Sequence, residues 1–308
     1  MDAPDHHSLD PTDEEIALTA YRLWLQEGCP HGRDKDHWLQ AREHLLAGKT
    51  KVPKPGPGEP AAPRRSRKKG LGAWSTLTSP AELRRLNLGW YYNWRPTQKI
   101  VAVPGVEFVP MFWGATDVTP ENLAAVAQSE ATHVLGFNEP DMVGQANLTA
   151  QECLALWPKL TDLKQRLGSP APAVSTWLDS FIPEAKRRGL RIDFVCVHMY
   201  PDISDPAAVD RIAAMLDDAH RKYELPIWFT ECGAADVSAW RQPQIHKPTP
   251  ETTENFLRNL LALLESLPYV ERYAWFADRA DDEYSLGSIF DPRAHRLTRI
   301  GKIFRDAA

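Results

Sequence analysis

The sequence predicts an α/β protein whose main body is a (β/α)8 TIM barrel. A small helical hairpin and a disordered, basic, Pro-rich linker are expected to precede it. Three observations carry the prediction. From Trp74 onward, short apolar, β-prone runs alternate with runs of helical period. The alternation continues for ~235 residues, close to the ~250 of a typical barrel. No strand-like run leads into a GxGxxG or Walker loop, the marks of a nucleotide-binding open sheet, which is the alternative architecture. The expected units are a hairpin over 1–48, a linker over 49–70 and a barrel over 71–308.

In chain order, the hairpin comes first. Thr12 and Glu15 have capping-box spacing. Ile16, Ala20, Tyr21, Trp24 and Leu25 then share a helical face until Gly28. A second helix is expected from Asp36, with Trp38, Leu39, Leu45 and Leu46 as its apolar residues. Cys29, His31 and His37 fit no zinc spacing and read as solvated loop residues. The stretch AYRLWLQEGCPHGRDKDHWLQAREHLL resembles a small bacterial helical domain of unknown function, a resemblance that implies no activity. Residues 49–70 hold five prolines and eight basic residues against one acid, a composition that stays extended. Their RRSRKK run is either a tether or a handle for an anionic surface or nucleic acid.

The barrel's strands are expected at Leu86–Tyr92, Glu107–Trp113, His133–Asn138, Ala171–Thr176, Asp193–Tyr200, Pro226–Glu231 and Glu271–Phe276. A weaker run, Lys99–Val103, is the only one left to make eight, and it lies too close to the next strand to fit well. Helices are expected at Thr119–Ser129, Ala150–Leu167, Pro206–Tyr223 and Glu251–Leu267.

Two strand-like stretches end on a carboxylate. HVLGFNEPD runs through apolar Val134, Leu135 and Phe137, with Gly136 admitting a close neighbour, to Asn138 and Glu139. LPIWFTECG ends the same way at Glu231. A charge at the end of a buried strand is costly unless it is partnered or used. Alternation cannot point both Asn138 and Glu139 inward, so a bulge or turn is expected there. Asp141 reads as a helix cap. On the same alternation, Ile227, Phe229 and Glu231 share one face of their strand, and Cys196 and Cys232 face opposite sides and do not pair.

Barrel chemistry sits at the C-terminal ends of strands. Those ends carry Trp90, Tyr92, Trp94, Trp113, Asn138, Glu139, Trp177, His198, Tyr200, Glu231 and Trp275. Two carboxylates, an amide, a His/Tyr pair and a set of aromatics suit a sugar: rings stack on its faces and polar groups meet its hydroxyls. Glycoside cleavage needs one protonated acid and one ionised carboxylate. Trp90, Trp94 and Trp113 serve either that cleft or barrel packing.

Residues 86–307 resemble glycoside hydrolase family 128, β-1,3-glucanases of a retaining clan. The resemblance rests on WYYNW, FVPMFWG, LGFNEPD, APAVS, WLDSF, IDFVCVHMYPD, PIWFTECG and VERYAWF, in that order. It implies Glu139 as acid/base and Glu231 as nucleophile, with Asn138 on the neighbouring 2-hydroxyl. It also implies Tyr200 as the nucleophile's hydrogen-bond partner and Trp275 as the sugar platform. His198 matches the family's strand-six histidine. The expected substrate is a β-glucan, cut with retention of configuration and without a metal or organic cofactor.

Composition bounds the rivals. The 308 residues are 43% hydrophobic and 25% charged with net charge −5, so the whole chain has no nucleic-acid signature. The four cysteines form no CxxC. No apolar run is long enough to span a membrane. The acidic N-terminus lacks an apolar core, so a cytoplasmic location is expected. The remaining alternatives are a non-catalytic glucan-binding protein and a glycosidase for another β-linked polysaccharide.

Overall fold

A computed structural model of the chain describes residues 16, 36–37, 39–43, 66–74, 78–100, 102–236 and 248–307. The chain divides into two units, Met1–Ala61 and Ala62–Ala308. In the first unit, Ile16 is helical and buried, and Asp36, His37 and 39–43 are helical, with His37 and Ala41 buried one turn apart. His37 is therefore a buried helical residue and not the loop residue expected. Leu39, expected among the apolar residues of that helix, is 59% exposed. Cys29, His31 and the Thr12/Glu15 cap lie outside the described residues.

Among its described residues the second unit contains eight parallel strands: β1 Lys69–Gly72, β2 Trp90–Tyr92, β3 Glu107–Phe108, β4 His133–Val134, β5 Arg166–Leu167, β6 Val195–Met199, β7 Ile227–Cys232 and β8 Val270–Trp275. They form one ladder in the order β3-β2-β1-β8-β7-β6 and a second of β4-β5. Parallel bridges Met111↔Leu135 and Gly168↔Phe194 join the ladders at both ends, so the ring of strands closes. Among the described residues no helix is long and apolar enough to cross a membrane.

Helices follow every strand except β2. They are α1 Pro80–Arg85, α2 Pro120–Gln128, α3 Ala150–Leu156, α4 Pro158–Thr161, α5 Leu178–Arg187, α6 Ala208–Tyr223, α7 Pro250–Ser266 and α8 Arg299–Asp306. Local chemistry starts them. Ser79 with Glu82 and Thr149 with Glu152 are complete capping boxes, and Thr119, Thr249 and Thr298 cap α2, α7 and α8. The long helix expected at 150–167 is cut by Pro158, which has no amide to continue it and instead opens α4. Its last two residues are β5, so the fifth strand lies earlier than the expected 171–176, where Ser175–Trp177 is a 3-10 turn.

The expected first strand was in fact the second. β1 lies in KKGLG, which composition assigned partly to the linker. The reason is tertiary. A Cβ on Gly70 would sit 2.3 Å from the Trp90 indole, so only glycine lets that ring fill the barrel. Lys69 of β1 and Lys68 just before it reach two helix ends. Lys69 Nζ donates to the carbonyls of Phe304 and Ala307 at 2.7 and 2.5 Å, capping α8. Lys68 Nζ donates to Leu264, Glu265 and Leu267 at 3.3, 3.1 and 2.9 Å, capping α7. Two of the basic residues read as a tether are thus barrel anchors. The weak run at 99–103 is no barrel strand: Val103 bridges antiparallel to Val106 within its own loop.

Two layers of apolar residues result. Inside the barrel are Trp90, Tyr92, Val109, Met111, Leu135, Phe194, Cys196 and Trp228, with Phe194 stacked on Trp228 at 4.1 Å. Arg272 closes the bottom over the Trp228 ring at 4.5 Å, paired to Glu107 at 2.5 Å. Outside lie the strand-to-helix contacts, including Leu71, Val195, Val197, Ile227, Phe229 and Cys232. Cys196 and Cys232 are free and on opposite sides, as expected. Gly136 admits Trp157, whose ring would meet a Cβ at 2.8 Å.

Lys69 carries a testable consequence. It is fully buried, and burial pushes its pKa from 10.5 down to about 8 against the raising charges of Glu265 and Asp306. Between about pH 8 and 10.5 the unfolded chain holds a proton that the folded chain has released, so stability rises with pH across that window. Below pH 8 that gain is gone. In chemical denaturation from pH 7 to 10.5, wild type is expected to gain stability relative to Lys69→Met. Parallel curves for the two proteins would refute the assignment.

Candidate active site

The C-terminal ends of the strands open into a cleft of about 1090 Å³. Glu139, Glu231, Asn138, Tyr200, Trp94 and Trp113 line it.

Each glutamate reaches the cleft through a departure from regular strand geometry. At the end of β4, Asn138 still bridges to Ala171, but Glu139 adopts φ +41°, in the left-handed region. Its amide donates to Ala171 O at 2.8 Å, and its carbonyl accepts from Met142 N at 3.1 Å. This is the turn that alternation demanded. Asp141 then accepts from the amides of Ala173 and Val174 at 2.9 and 2.8 Å, tying this corner to the loop after β5 rather than capping a helix of its own. In β7, Val197 of β6 pairs with Phe229 and His198 with Glu231, leaving Thr230 as an extra residue. This bulge turns Glu231 into the cleft, while Ile227 and Phe229 face the outer layer. The shared face expected for Ile227, Phe229 and Glu231 is therefore broken, since a bulge reverses the parity beyond it.

Three neutral donors hold Glu231. Trp94 Nε1 donates to Oε1 at 2.8 Å and Tyr200 Oη to Oε2 at 2.9 Å, while Tyr92 Oη shares its one proton between Oε1 at 3.1 Å and Thr230 O at 2.9 Å. Trp94 attains this position with φ +55°, so two of the site's residues sit in the left-handed region. Burial, then the negative charge of Glu231, pushes the phenols of Tyr92 and Tyr200 well above their usual pKa, so both remain donors. Among the described residues Glu139 has one side-chain partner, His198, whose Nδ1 lies 3.2 Å from its Oε1 and 3.7 Å from Glu231 Oε2. Burial works against charge on this imidazole. The carboxylates of Glu231 and Glu139 outweigh it and raise the His198 pKa. Asn138 Nδ2 donates to Gln145 Oε1 at 3.2 Å, and its buried Oδ1 has no partner among the described residues.

One ligand-type atom from each of Glu139, His198 and Glu231 lies within 4.8 Å of the others, the spacing of a metal set. The three donors on Glu231 already occupy lone pairs that a cation would need.

The other expected site residues divide. Tyr92 and His198 are buried behind the carboxylates, where they touch the glutamates rather than the cleft. Trp90 is fully buried barrel packing, its Nε1 donating to Lys68 O at 2.9 Å. Trp177 does not line the cleft; it stacks on Phe181 at 5.7 Å in the outer layer. Trp275 is not a platform either. It is 1% exposed and outward-facing, with Nε1 on Gly287 O at 2.7 Å. Its neighbour Phe276 lines the cleft instead, because side chains alternate along β8. Sequence reading missed Trp74, just beyond β1, which is 64% exposed in the cleft and meets Trp94 and Phe276 edge-on at 6.0 and 6.2 Å. Recognising β1 would have placed it at a strand end. Trp275→Phe is therefore expected to cost ~1–3 kcal/mol of stability through a lost hydrogen bond and a cavity, with KM for a glucan unchanged. A KM raised tenfold at unchanged melting temperature would return Trp275 to the cleft.

A closed parallel barrel that gathers two strand-end glutamates in an aromatic cleft defines a glycosidase. Residues 70–304 match the family model described as a glycosyl hydrolase catalytic core, and residues 11–47 match one described as a protein of unknown function, DUF2934. The first match begins in β1, ahead of the resemblance seen at 86–307. Among solved structures, the chain is similar to a family 128 subgroup I endo-β-1,3-glucanase from Amycolatopsis mediterranei in complex with laminaritriose. Identity is 33%, coverage 79% of this chain and 100% of that one, and TM-score 0.71. It is also similar to a subgroup II endo-β-1,3-glucanase from Sorangium cellulosum (27% identity, 78% and 98% coverage, TM-score 0.66). A third is a subgroup III curdlan-specific exo-β-1,3-glucanase from Blastomyces gilchristii in complex with glucose (27%, 79% and 99%, TM-score 0.62). No curated protein matches the chain. The chain belongs to glycoside hydrolase family 128.

Proposed function

We propose that the chain is a retaining endo-β-1,3-glucanase. The observation that carries this reading is the close approach of the two carboxylates, with an oxygen of each within 4.8 Å. Retaining pairs stand ~5–5.5 Å apart, whereas inverting pairs need ~6.5–9.5 Å to admit a water. The similar subgroup I structure, an endo-β-1,3-glucanase with bound laminaritriose, supports the substrate and the endo mode.

The asymmetry of partners supports the roles. Glu231, fixed by Trp94, Tyr92 and Tyr200, is the nucleophile: its donors stabilise the anion and aim it at the anomeric carbon. Glu139 is the acid/base. It protonates the departing glucosyl oxygen, then deprotonates the water that opens the glycosyl-enzyme ester. His198 lies between them as a positioning residue. Asn138, with a free buried oxygen, contacts the 2-hydroxyl of the sugar beside Glu231.

The test is hydrolysis of laminarin by the purified full chain, with oligosaccharide sizing and proton NMR of the first-formed anomer. A ladder of internal cuts with β-anomer appearing first is expected. An initial α-anomer would overturn retention, glucose as the sole early product would overturn endo action, and binding without turnover would leave a glucan-binding protein.

A further inference from the structure

Among the described residues, the connection between β2 and β3 lacks the helix that follows every other strand; instead, part of it reaches the cleft. It places Arg95 and Lys99 in the lining with Trp94, Trp113, Glu139 and Glu231. We propose that Arg95 and Lys99 form a recognition site for anionic substituents on the glucan, so that the favoured substrate is an acidic β-1,3-glucan, with carboxylate or phosphate groups on otherwise free hydroxyls. This inference rests on the glucanase reading and extends it.

Chemistry comes first. Amides, carboxylates and aromatic faces suffice for a neutral glucan, whose hydroxyl oxygens can accept from a guanidinium or an ammonium but do not neutralise its charge. Arg95 and Lys99 are both exposed, and among the described residues neither makes an ion pair with a carboxylate. The cleft's other arginine, Arg279, is different: it is buried and committed to Glu82. The basic pair is therefore available to a ligand. A guanidinium and an ammonium in one lining suit oxyanions, the first by a bidentate fork and the second as a point charge.

The loop is also built to present them. Arg95 N donates to Asn93 Oδ1 at 3.2 Å, and Arg95 O accepts from Met111 N at 3.0 Å. Asn93 Nδ2 donates to Thr97 O at 3.4 Å, and Gln98 Nε2 to Tyr91 Oη at 2.8 Å. Backbone fixed at this many points lowers the entropy cost of holding an anion. The loop after β8 gives the cleft a direction: it places exposed Asp281 and Asp282 in the same lining. The lining's other carboxylates are Glu139, Glu231 and Asp117, whose Oδ2 accepts from Trp113 N at 2.8 Å, so an anionic substituent is drawn to the β2–β3 loop and repelled elsewhere in the cleft.

The experiment compares kcat/KM of the full chain on laminarin, O-carboxymethyl laminarin and phosphorylated laminarin of equal low substitution, for wild type and for Arg95→Gln/Lys99→Gln. Wild type is expected to prefer the charged glucans, through KM. Each exposed charge pair contributes up to roughly fivefold. Raising salt from ~0.01 to ~1 M shortens the screening length from about 30 to about 3 Å and should erase the preference. The double variant should bring the charged-to-neutral ratio to one or below, and the larger of the two preferences identifies the anion. Equal wild-type rates on all three polymers, or a variant that weakens them equally, would overturn the proposal. Gel retardation of the protein by each polymer reads the same ratio without turnover. An inactive wild type therefore defeats the glucanase reading alone, and retention that ignores substrate charge defeats this one.

Discussion

Glu231→Gln is expected to abolish turnover of every β-glucoside, with kcat lower by about 10⁴-fold or more, the scale of losing a covalent nucleophile. Two effects combine. The amide cannot attack the anomeric carbon, so no glycosyl-enzyme ester forms. It also cannot accept at both positions. Trp94 and Tyr92 donate to one oxygen and Tyr200 to the other; the amide keeps its oxygen toward Trp94 Nε1, which can only donate, and turns its nitrogen to Tyr200 Oη, which must accept instead of donating. The defect should be as deep on 2,4-dinitrophenyl glucosides as on laminarin, because a better leaving group does not replace a nucleophile. Steady-state kinetics on both substrates, with intact-protein mass spectrometry for a trapped ester, provide the measurement. Burst release of dinitrophenol or an accumulated ester in the variant would remove Glu231 from the nucleophile's role.

Glu139→Gln should look different. On laminarin the leaving group is a sugar hydroxyl that departs only when protonated, and kcat/KM should fall by roughly 10²–10⁴-fold, the usual range for general acid catalysis. On a dinitrophenyl glycoside the first step needs no proton. A burst of dinitrophenol should therefore precede slow turnover, since the stranded ester lacks a base to activate water. Added azide, which needs no base, should restore turnover and give the β-glycosyl azide by attack on the α-linked ester. An α-azide would mean that Glu139 is itself the nucleophile, and normal laminarin hydrolysis would mean that it has no catalytic role.

Much of the cleft was legible in the sequence because its signals are local. Apolar runs ending in Asn138-Glu139 and Glu231 place carboxylates where strands end. The Asn-Glu pair itself showed that alternation must fail at that point, as the left-handed Glu139 does. Cys196 and His198 also kept the shared face that simple alternation assigns. What failed was whatever depended on one residue of register. Trp275 and Phe276 are adjacent aromatics at one strand end, and only the twist and pairing of β8 decide which ring meets the cleft. Trp90 is indistinguishable from Trp94 by composition, yet one fills the barrel and the other grips the nucleophile.

By itself the sequence determined the alternating βα plan, the two glutamates and the family resemblance, because apolar periodicity and strand-end polarity are carried by neighbours along the chain. Only the tertiary structure decided three further things. It made KKGLG a strand, since a lysine- and glycine-rich segment gains a β conformation only when Trp90 needs the space over Gly70 and two helix ends need the ammonium groups of Lys68 and Lys69. It turned Glu231 inward through a bulge at Thr230, which exists only as a register difference between β7 and its partners. It also brought Trp94, Tyr92, Tyr200 and His198 around the two carboxylates from separate strands. Contacts between strands distant in sequence leave no periodic trace in either one, and the electrostatics of this cleft consist almost entirely of such contacts.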